Sequence, residues 1–215
     1  MNKLLVMCKS RGRPDRIKEM LHSFEETITS DTTLCVCLDE DDPRLHEYDI
    51  LGHLKEVGQR RTITEAYNFL SSRYNCFDYY GEVNDDMIFR THGWDTMLIS
   101  DIEGKGGGWG VAFGDDKVFS GKIMLPTQSV VSANIVFTLG YFSSPNLIHS
   151  YTDDSRRDIA QGIDRLFYNP NVVIEHLHPC SGKAQRDANY DWVDSHRQRD
   201  EEVYKKWKSE ELPIS

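Results

Sequence analysis

Residues 76–89 read CFDYYGEVNDDMIF. Aromatic and apolar residues stand on both sides, as in a buried strand, but Asn84, Asp85 and Asp86 interrupt them side by side. An unpaired carboxylate inside a protein costs several kcal/mol, so such a cluster is paired, exposed at a strand end, or holding a cation. The elements around it decide what kind of sheet the strand belongs to.

Toward the N-terminus, KLLVMC (3–8) reads as a first buried strand, and SRGRPDRIKEMLHSFEET (10–27) turns into a helix. Pro14 suits a first helical turn, and Ile17, Met20, Leu21 and Phe24 follow with helical spacing. TTLCVCLDEDDP (32–43) is a second strand closed by an acidic turn. HLKEVGQRRTITEAYNFLSSRY (53–74) reads as a short strand, a basic turn and a helix starting at Thr64, with Ala66, Phe69 and Leu70 beyond it. Alternating strands and helices predict an α/β fold, a mainly parallel central sheet with flanking helices. Ligands of such sheets gather at the carboxyl ends of the strands. Asp39–Asp42 and Asn84–Asp86 both fall there, so the two acidic strand ends are expected to face one crevice.

Toward the C-terminus, HGWDTMLISDIE is a short amphipathic helix and GKGGGWG a connection. VAFGDD is a strand with a turn, and KIMLPTQSVVSANIVFTLGYF mixes strand and helix signals. TDDSRRDIAQGIDRLFYN reads as one helix with Ile159, Ile163, Leu166 and Phe167 on its apolar face; NPNVVIEHLHP is a β-branched strand. A single domain over 1–215 is expected, with halves 1–90 and 91–190 and a charged helical tail over 191–215.

The 215 residues are 39% hydrophobic and 11% aromatic, enough for one core. No apolar run approaches the ~18–20 residues that span a membrane, and the apolar part of MNKLLVMCKSRGRP is too short for a signal peptide. A cytoplasmic protein is expected, in the host cytoplasm if the chain is virus-encoded. The five cysteines lack zinc-ligand spacing and read as buried free thiols. A net charge of −10 argues against a broad surface for duplex DNA but leaves room for a local basic pocket.

Several groups could carry chemistry. A carboxylate at a strand end, as in VNDDM, is a good ligand for a hard divalent cation, with phosphate oxygens completing the shell; an acidic turn is the plainer reading. His176 and His178 close the VVIEHLHP strand on one side of it, and strand-end histidines serve as metal ligands or as surface residues. Asp153 and Asp154 stand before an amphipathic run. One can cap the helix, which leaves the other free as a general base. Arg11, Arg13, Arg60, Arg61, Lys183 and Arg186 lie in loops beside these elements, where they can grip a diphosphate or serve as ordinary surface charge.

In their order, these motifs resemble nucleotide-sugar glycosyltransferases of the A-type, Rossmann-like fold (GT-A), particularly family 2-like members, including short bacteriophage-encoded ones. The resemblance runs from Lys3 to about Tyr190, with gaps over 100–145. It implies a basic loop at SRGRP, a nucleobase contact at Asp39 in LDEDD, and Asn68 of RRTITEAYN packing under the donor. It implies that Asp86 of a DxD-like motif binds Mn2+ or Mg2+ bridging the donor's phosphates, with Asp85 assisting. Asn84 replaces the family's first acid, which puts the ribose contact in question. Asp153 or Asp154 would be the catalytic base, His176 or His178 would complete the metal shell, and SGKAQRD would be the loop closing over the donor. The half over 1–90 would then bind a UDP- or GDP-sugar, and the half over 91–190 an acceptor, with Trp94 and Trp109 on the acceptor side, Trp109 alternatively in the core. The implied reaction is transfer to an acceptor hydroxyl with inversion. A sugar-phosphate nucleotidyltransferase shares the sheet and the metal chemistry, but SRGRPDRIKEM lacks its glycine-rich loop ending in Pro-Lys. A non-catalytic nucleotide- or glycan-binding module of a larger assembly gains weight from Asn84.

Overall fold

Leu4–Cys8 are buried on both faces, as a central parallel strand requires. In the computed structural model, which describes residues 2–50 and 52–210, this run is the core of β1 (Lys3–Ser10). It lies between β2 (Asp31–Asp39) and β4 (Tyr79–Asn84), parallel to both, and β3 (Leu54–Gly58) adds outside β2 in the same sense. The crossovers are α1 (Pro14–Thr27) and α2 (Ile63–Arg73). The first buries Ile17, Met20, Leu21 and Phe24 against the sheet. The second starts just before the expected Thr64: Thr62 caps it, and Glu65 returns a bond to the Thr62 N–H.

CFDYYGEVNDDMIF is not one strand. The chain turns at Asp85 and Asp86, and β5 (Met87–Phe89) swings away from β4 to pair antiparallel with β8 (Leu166–His176), Met87 opposite His176. The acids therefore occupy a turn between strands, where they escape the sheet interior.

The second half contains α3 (Trp94–Gly106), β6 (Val111–Asp115), α4 (Ser120–Ile123), β7 (Ser129–Ser132), α5 (Ala133–Leu139), α6 (Thr152–Gly162) and α7 (Ala188–Glu210). The sheet order is β3-β2-β1-β4-β7-β6-β8-β5. Strand β7 runs antiparallel to β4 and β6, and β6 runs parallel to β8, so the sheet is parallel in its first half and mixed in its second.

The expected helix over 152–169 ends at Gly162. Asp164 takes a left-handed conformation (φ 54°), the Arg165 N–H bonds back to the Ala160 carbonyl, and Leu166 and Phe167 pair with Val111 and Ala112 in the sheet. Ile163 is left exposed. A close approach supports this pairing: a Cβ on Gly114 would lie 2.5 Å from the Val172 carbonyl oxygen. Helix α7 begins before the expected tail and packs Tyr204 and Trp207 on Leu147 and Ile159; residues 211–215 of that tail lie outside the described residues. Cys8, Cys35 and Cys37 are buried thiols, whereas Cys76 and Cys180 are exposed. Among the described residues no helix is long and apolar enough to cross a membrane.

Candidate active site

The carboxyl ends of β1, β2 and β4 open on a cleft of about 410 Å3. At the end of β2, buried Asp39 is ion-paired with Lys9 Nζ (2.8 Å) and accepts from Arg11 Nη1 (3.1 Å) and the Arg61 N–H (3.2 Å). The β4–β5 turn supplies Asp85 and Asp86, each 4% exposed. Asp85 accepts from Ser10 Oγ (2.7 Å) and Arg13 Nη1 (2.9 Å). Burial pushes its carboxyl up against the pull of Arg13, and the neighbouring Asp86 charge adds to the rise.

Asp86 faces the opposite way in proton affinity. Burial alone would raise it, but His176, the Tyr190 hydroxyl and Arg13 outweigh burial and hold it well below the usual carboxylate range. His176 Nε2 lies 3.1 Å from Asp86 Oδ1, and Tyr190 donates to Oδ2. The imidazole contact does not have hydrogen-bond geometry: Asp86 Oδ1 is buried and makes no hydrogen bond. A carboxylate oxygen without a donor, beside an imidazole nitrogen, is a donor set that suits a divalent cation. Among the described residues no group of three or more His, Cys, Asp or Glu side chains is arranged to hold an ion. Asp86 and His176 would therefore bind one only with ligand or water oxygens completing the shell.

The far wall carries Asp153 and Asp154 in the first turn of α6. Neither caps the helix. The N-cap is Tyr151, in a left-handed conformation (φ 66°) without a side-chain bond, so the capping expectation is corrected. Both acids suit the positive end of the helix dipole. Asp154 pairs with Arg157 at 2.9 Å. Asp153 keeps Arg156 Nη1 at 3.7 Å, and its side chain is 31% exposed toward the cleft. Desolvation and the Glu82 charge push Asp153 up to about 7, against the pull of Arg156. The loop before α6 is clamped by fully buried Asp200 of α7, which accepts from the N–H groups of Ile148, His149 and Ser150 at 2.9–3.0 Å. Burial drives His149 down to about 4, so it faces the cleft as a neutral imidazole.

A third wall is apolar. Asp116 accepts from the N–H groups of Val118, Phe119 and Ser120 and from Thr127 Oγ1. It thereby shapes the loop that brings Phe119, Ile123 and Leu125 to the cleft.

The structure brings together most of the residues that the sequence singled out. Asp39, Asn84, Asp85, Asp86, His176 and His178 line the cleft, as do Asp153 and Asp154 opposite them. Arg11, Arg13, Arg60, Arg61 and Arg186 line it too, but several are already engaged. Arg11 is held by Asp39 and Asp41, Arg186 by Asp191 and Asp194. Arg13 spans Asp85 and, in a two-pronged pair at 2.8 Å, Asp187. His178 lies beyond the end of β8 and directs Nδ1 toward Cys180 Sγ (2.9 Å), whereas His176 meets Asp86.

Four expected site residues are elsewhere. Asn68 accepts from the Phe142 and Ser143 N–H groups and donates to the Ser143 carbonyl, so it pins a loop and does not line the donor cleft. Lys183 pairs with Glu175 at 2.8 Å. Trp94 is 2% exposed and packs against Phe24 and Phe89 in the core. Trp109 is exposed at the wrong end of the sheet: its neighbour Gly110 donates to Ser132, which pairs with Tyr79 at the start of β4. The acceptor-side reading of both tryptophans is corrected accordingly.

Sequence reading also missed residues. Asp187, Asn189 and Tyr190 reach the site because α7 starts against the basic loop, with Asn189 donating to the Arg11 carbonyl and Arg13 standing 4.7 Å over the Tyr190 ring. No periodicity announces that docking. Glu82 and Arg156 form a buried ion pair, Arg156 Nη2 3.0 Å from Glu82 Oε2. A glutamate inside YYGEV was a legible sign, since a buried charge requires a partner.

No family model matches the sequence, and no curated protein does. Solved structures do. A mannosyltransferase of Pyrobaculum calidifontis, solved with GDP-Man and Mn2+, superposes with a TM-score of 0.67 at 10% identity, over 88% of this chain and 59% of that one. Glucosyl-3-phosphoglycerate synthase of Mycobacterium tuberculosis, with Mn2+, UDP and phosphoglyceric acid, gives 0.61 at 11% identity, over 88% and 73%. A cytidylyltransferase of Leptospira borgpetersenii gives 0.54 at 11%, over 79% and 75%. These likenesses establish a Rossmann-like α/β fold of the glycosyltransferase A type. The chain spans about six-tenths of the mannosyltransferase's length.

Proposed function

We propose that the chain is a metal-dependent glycosyltransferase that moves a sugar from a UDP- or GDP-sugar to an acceptor hydroxyl with inversion. The observation that carries this reading is a single cleft with an unsatisfied carboxylate–imidazole pair on one wall and a carboxyl of raised proton affinity on the other. Asp86 and His176 would hold Mn2+ or Mg2+, which when bound would neutralise charge developing on the leaving diphosphate. Asp39 and Lys9 would meet the nucleobase end, and Arg60 and Arg61 the phosphates, joined by Arg11 and Arg13 once their present acidic partners yield. Asp153, the less firmly paired of the two acids in α6, would take the proton from the acceptor hydroxyl. With an affinity matched to neutral pH it is a suitable base, and a single displacement from that wall inverts the anomeric centre. Residues 1–90 would be the donor half, 91–190 the acceptor half, and the protein cytoplasmic.

The similarity to a cytidylyltransferase favours, as second reading, a nucleotidyltransferase acting on a sugar phosphate. One screen separates the readings. Calorimetry with UDP, GDP and CDP, with and without Mn2+, should show metal-dependent binding of UDP or GDP, and a nucleotide-sugar should be turned over without pyrophosphate. Pyrophosphate release from a nucleoside triphosphate and a sugar phosphate would favour the second reading. Binding without turnover would leave a non-catalytic module.

A further inference from the structure

We propose that Glu82 and Arg156 are positioning residues for Asp153: Glu82 engages the Arg156 guanidinium and keeps it from closing on the Asp153 carboxylate. The inference rests on the assignment of Asp153 as the base. Glu82 sits in the middle of β4 and Arg156 on the inner face of α6, both about 5% exposed. The guanidinium presents two nitrogens to Glu82, and Ser129 Oγ donates to the same carboxylate at 3.2 Å. Arg156 Nη2 also donates to Ser143 Oγ (3.2 Å), and its plane covers Phe142 at 4.7 Å. Ser143 is in turn tied by its backbone to Asn68 of α2. The guanidinium is thus fixed from β4 and the Asn68-pinned loop, while β7 holds the Glu82 carboxylate.

Asp153 lies one helical turn before Arg156, with Oδ1 3.7 Å from Nη1, and makes no hydrogen bond to it. An i, i+3 arginine with free donors would close on such a carboxylate, hold it ionised and weaken it as a base. A buried ion pair contributes little net stability against an apolar pair of the same volume, so packing alone does not account for Glu82 and Arg156. The other titratable groups whose charge reaches Asp153 are Tyr67 of α2, His176 of β8 and Asp154 on its own helix. Asp154 is taken by Arg157, so Glu82 is the acid that Arg156 engages instead.

The test follows the Asp153 carboxyl by carbon NMR in the full chain, the signal assigned with Asp153→Asn. The wild-type carboxyl should titrate at least 2 pH units above an ordinary aspartate. Glu82→Gln should lower its midpoint by a unit or more, as Arg156 turns to Asp153. Glu82→Asp keeps the buried charge and the fold, and draws the carboxylate back by one methylene; it should lower the midpoint by a smaller step. An ordinary wild-type midpoint, or midpoints unmoved in whichever of these variants fold, overturns the proposal. Turnover of a nucleotide-sugar is the second readout, its acid limb moving with the midpoint. Shifted titrations without any turnover sink the transferase reading and leave the control of Asp153 standing; turnover with unmoved titrations does the reverse.

Discussion

Asp86 in the β4–β5 turn and Asp153 in the first turn of α6 are carboxylates in the same cleft, yet their surroundings drive them in opposite directions. Asp86 has His176, Tyr190 and Arg13 beside it, which overcome the effect of burial and keep it ionised, and Arg16 stands 3.4 Å away. Asp153 has burial and the Glu82 charge acting together, with its nearest arginine committed elsewhere. Environment, not residue type, is what would suit one acid to hold a cation and the other to act as a base, and pairs of acids pushed apart in this way are a common mark of acid–base sites.

The largest expected effect comes from removing the first member of the pair. Asp86→Ala should abolish the Mn2+-dependent part of nucleotide binding in calorimetry, whereas Asp85→Asn should retain it; equal losses would show that the two acids act as one cluster. Asp153→Asn should leave nucleotide binding intact and lower transfer by about 10²–10⁴-fold, the usual range for a general base. The same variant has a second signature. The folded chain binds the Asp153 proton more tightly than the unfolded chain does. Its stabilising contribution is therefore complete below the ordinary carboxylate range and is lost as pH rises through about 7. Removing the charge should raise stability at pH 8 by on the order of 1 kcal/mol, or about 2–4 °C in Tm, after allowance for the part of the side chain open to water. At pH 4 the two proteins should melt together. A Tm unchanged at pH 8 would mean that Asp153 is an ordinary carboxylate, and the contrast with Asp86 would lapse.

The same contrast explains what could be read in advance. The parallel half was legible because its rules are local: Pro14 marks one helix start, the expected Thr64 falls within two residues of the Thr62 cap of the next, and alternating strands and helices force acids such as Asp39 and Asp86 to one edge. Two strand-end motifs brought Asp86 together with an imidazole of EHLHP but left His176 and His178 open; the structure selects His176, and the turn that creates the contact was hidden inside an apparent single strand. The second half depends on distant partners. Leu166 and Phe167 fit a helical face as well as a strand, and only their pairing with β6 decides for the strand. Trp94 and Trp109 looked alike in sequence, but one fills the core and the other lies at the far end of the sheet. Asp187 and Tyr190 reach the cleft only because α7 docks there, which depends on Asp200, Tyr204 and Trp207 finding buried places.

That docking gives the smallest and most discriminating test of the Asp86 wall. The Tyr190 hydroxyl donates to Asp86 Oδ2, while Asp187 occupies the Arg13 guanidinium with a carboxylate where a phosphate could sit. Without a ligand, the start of α7 thus satisfies the charges that a metal–nucleotide complex would need. Tyr190→Phe keeps the ring under Arg13 and removes only the donor. A hydrogen bond to a charged group contributes roughly 1.5–3 kcal/mol, but Arg16 stands 3.4 Å away to take up part of that loss. Mn2+–nucleotide affinity should therefore rise by no more than about tenfold. Weaker binding would mean that the hydroxyl serves the bound state, which would make the contact a clasp on the ligand and not a competitor for Asp86.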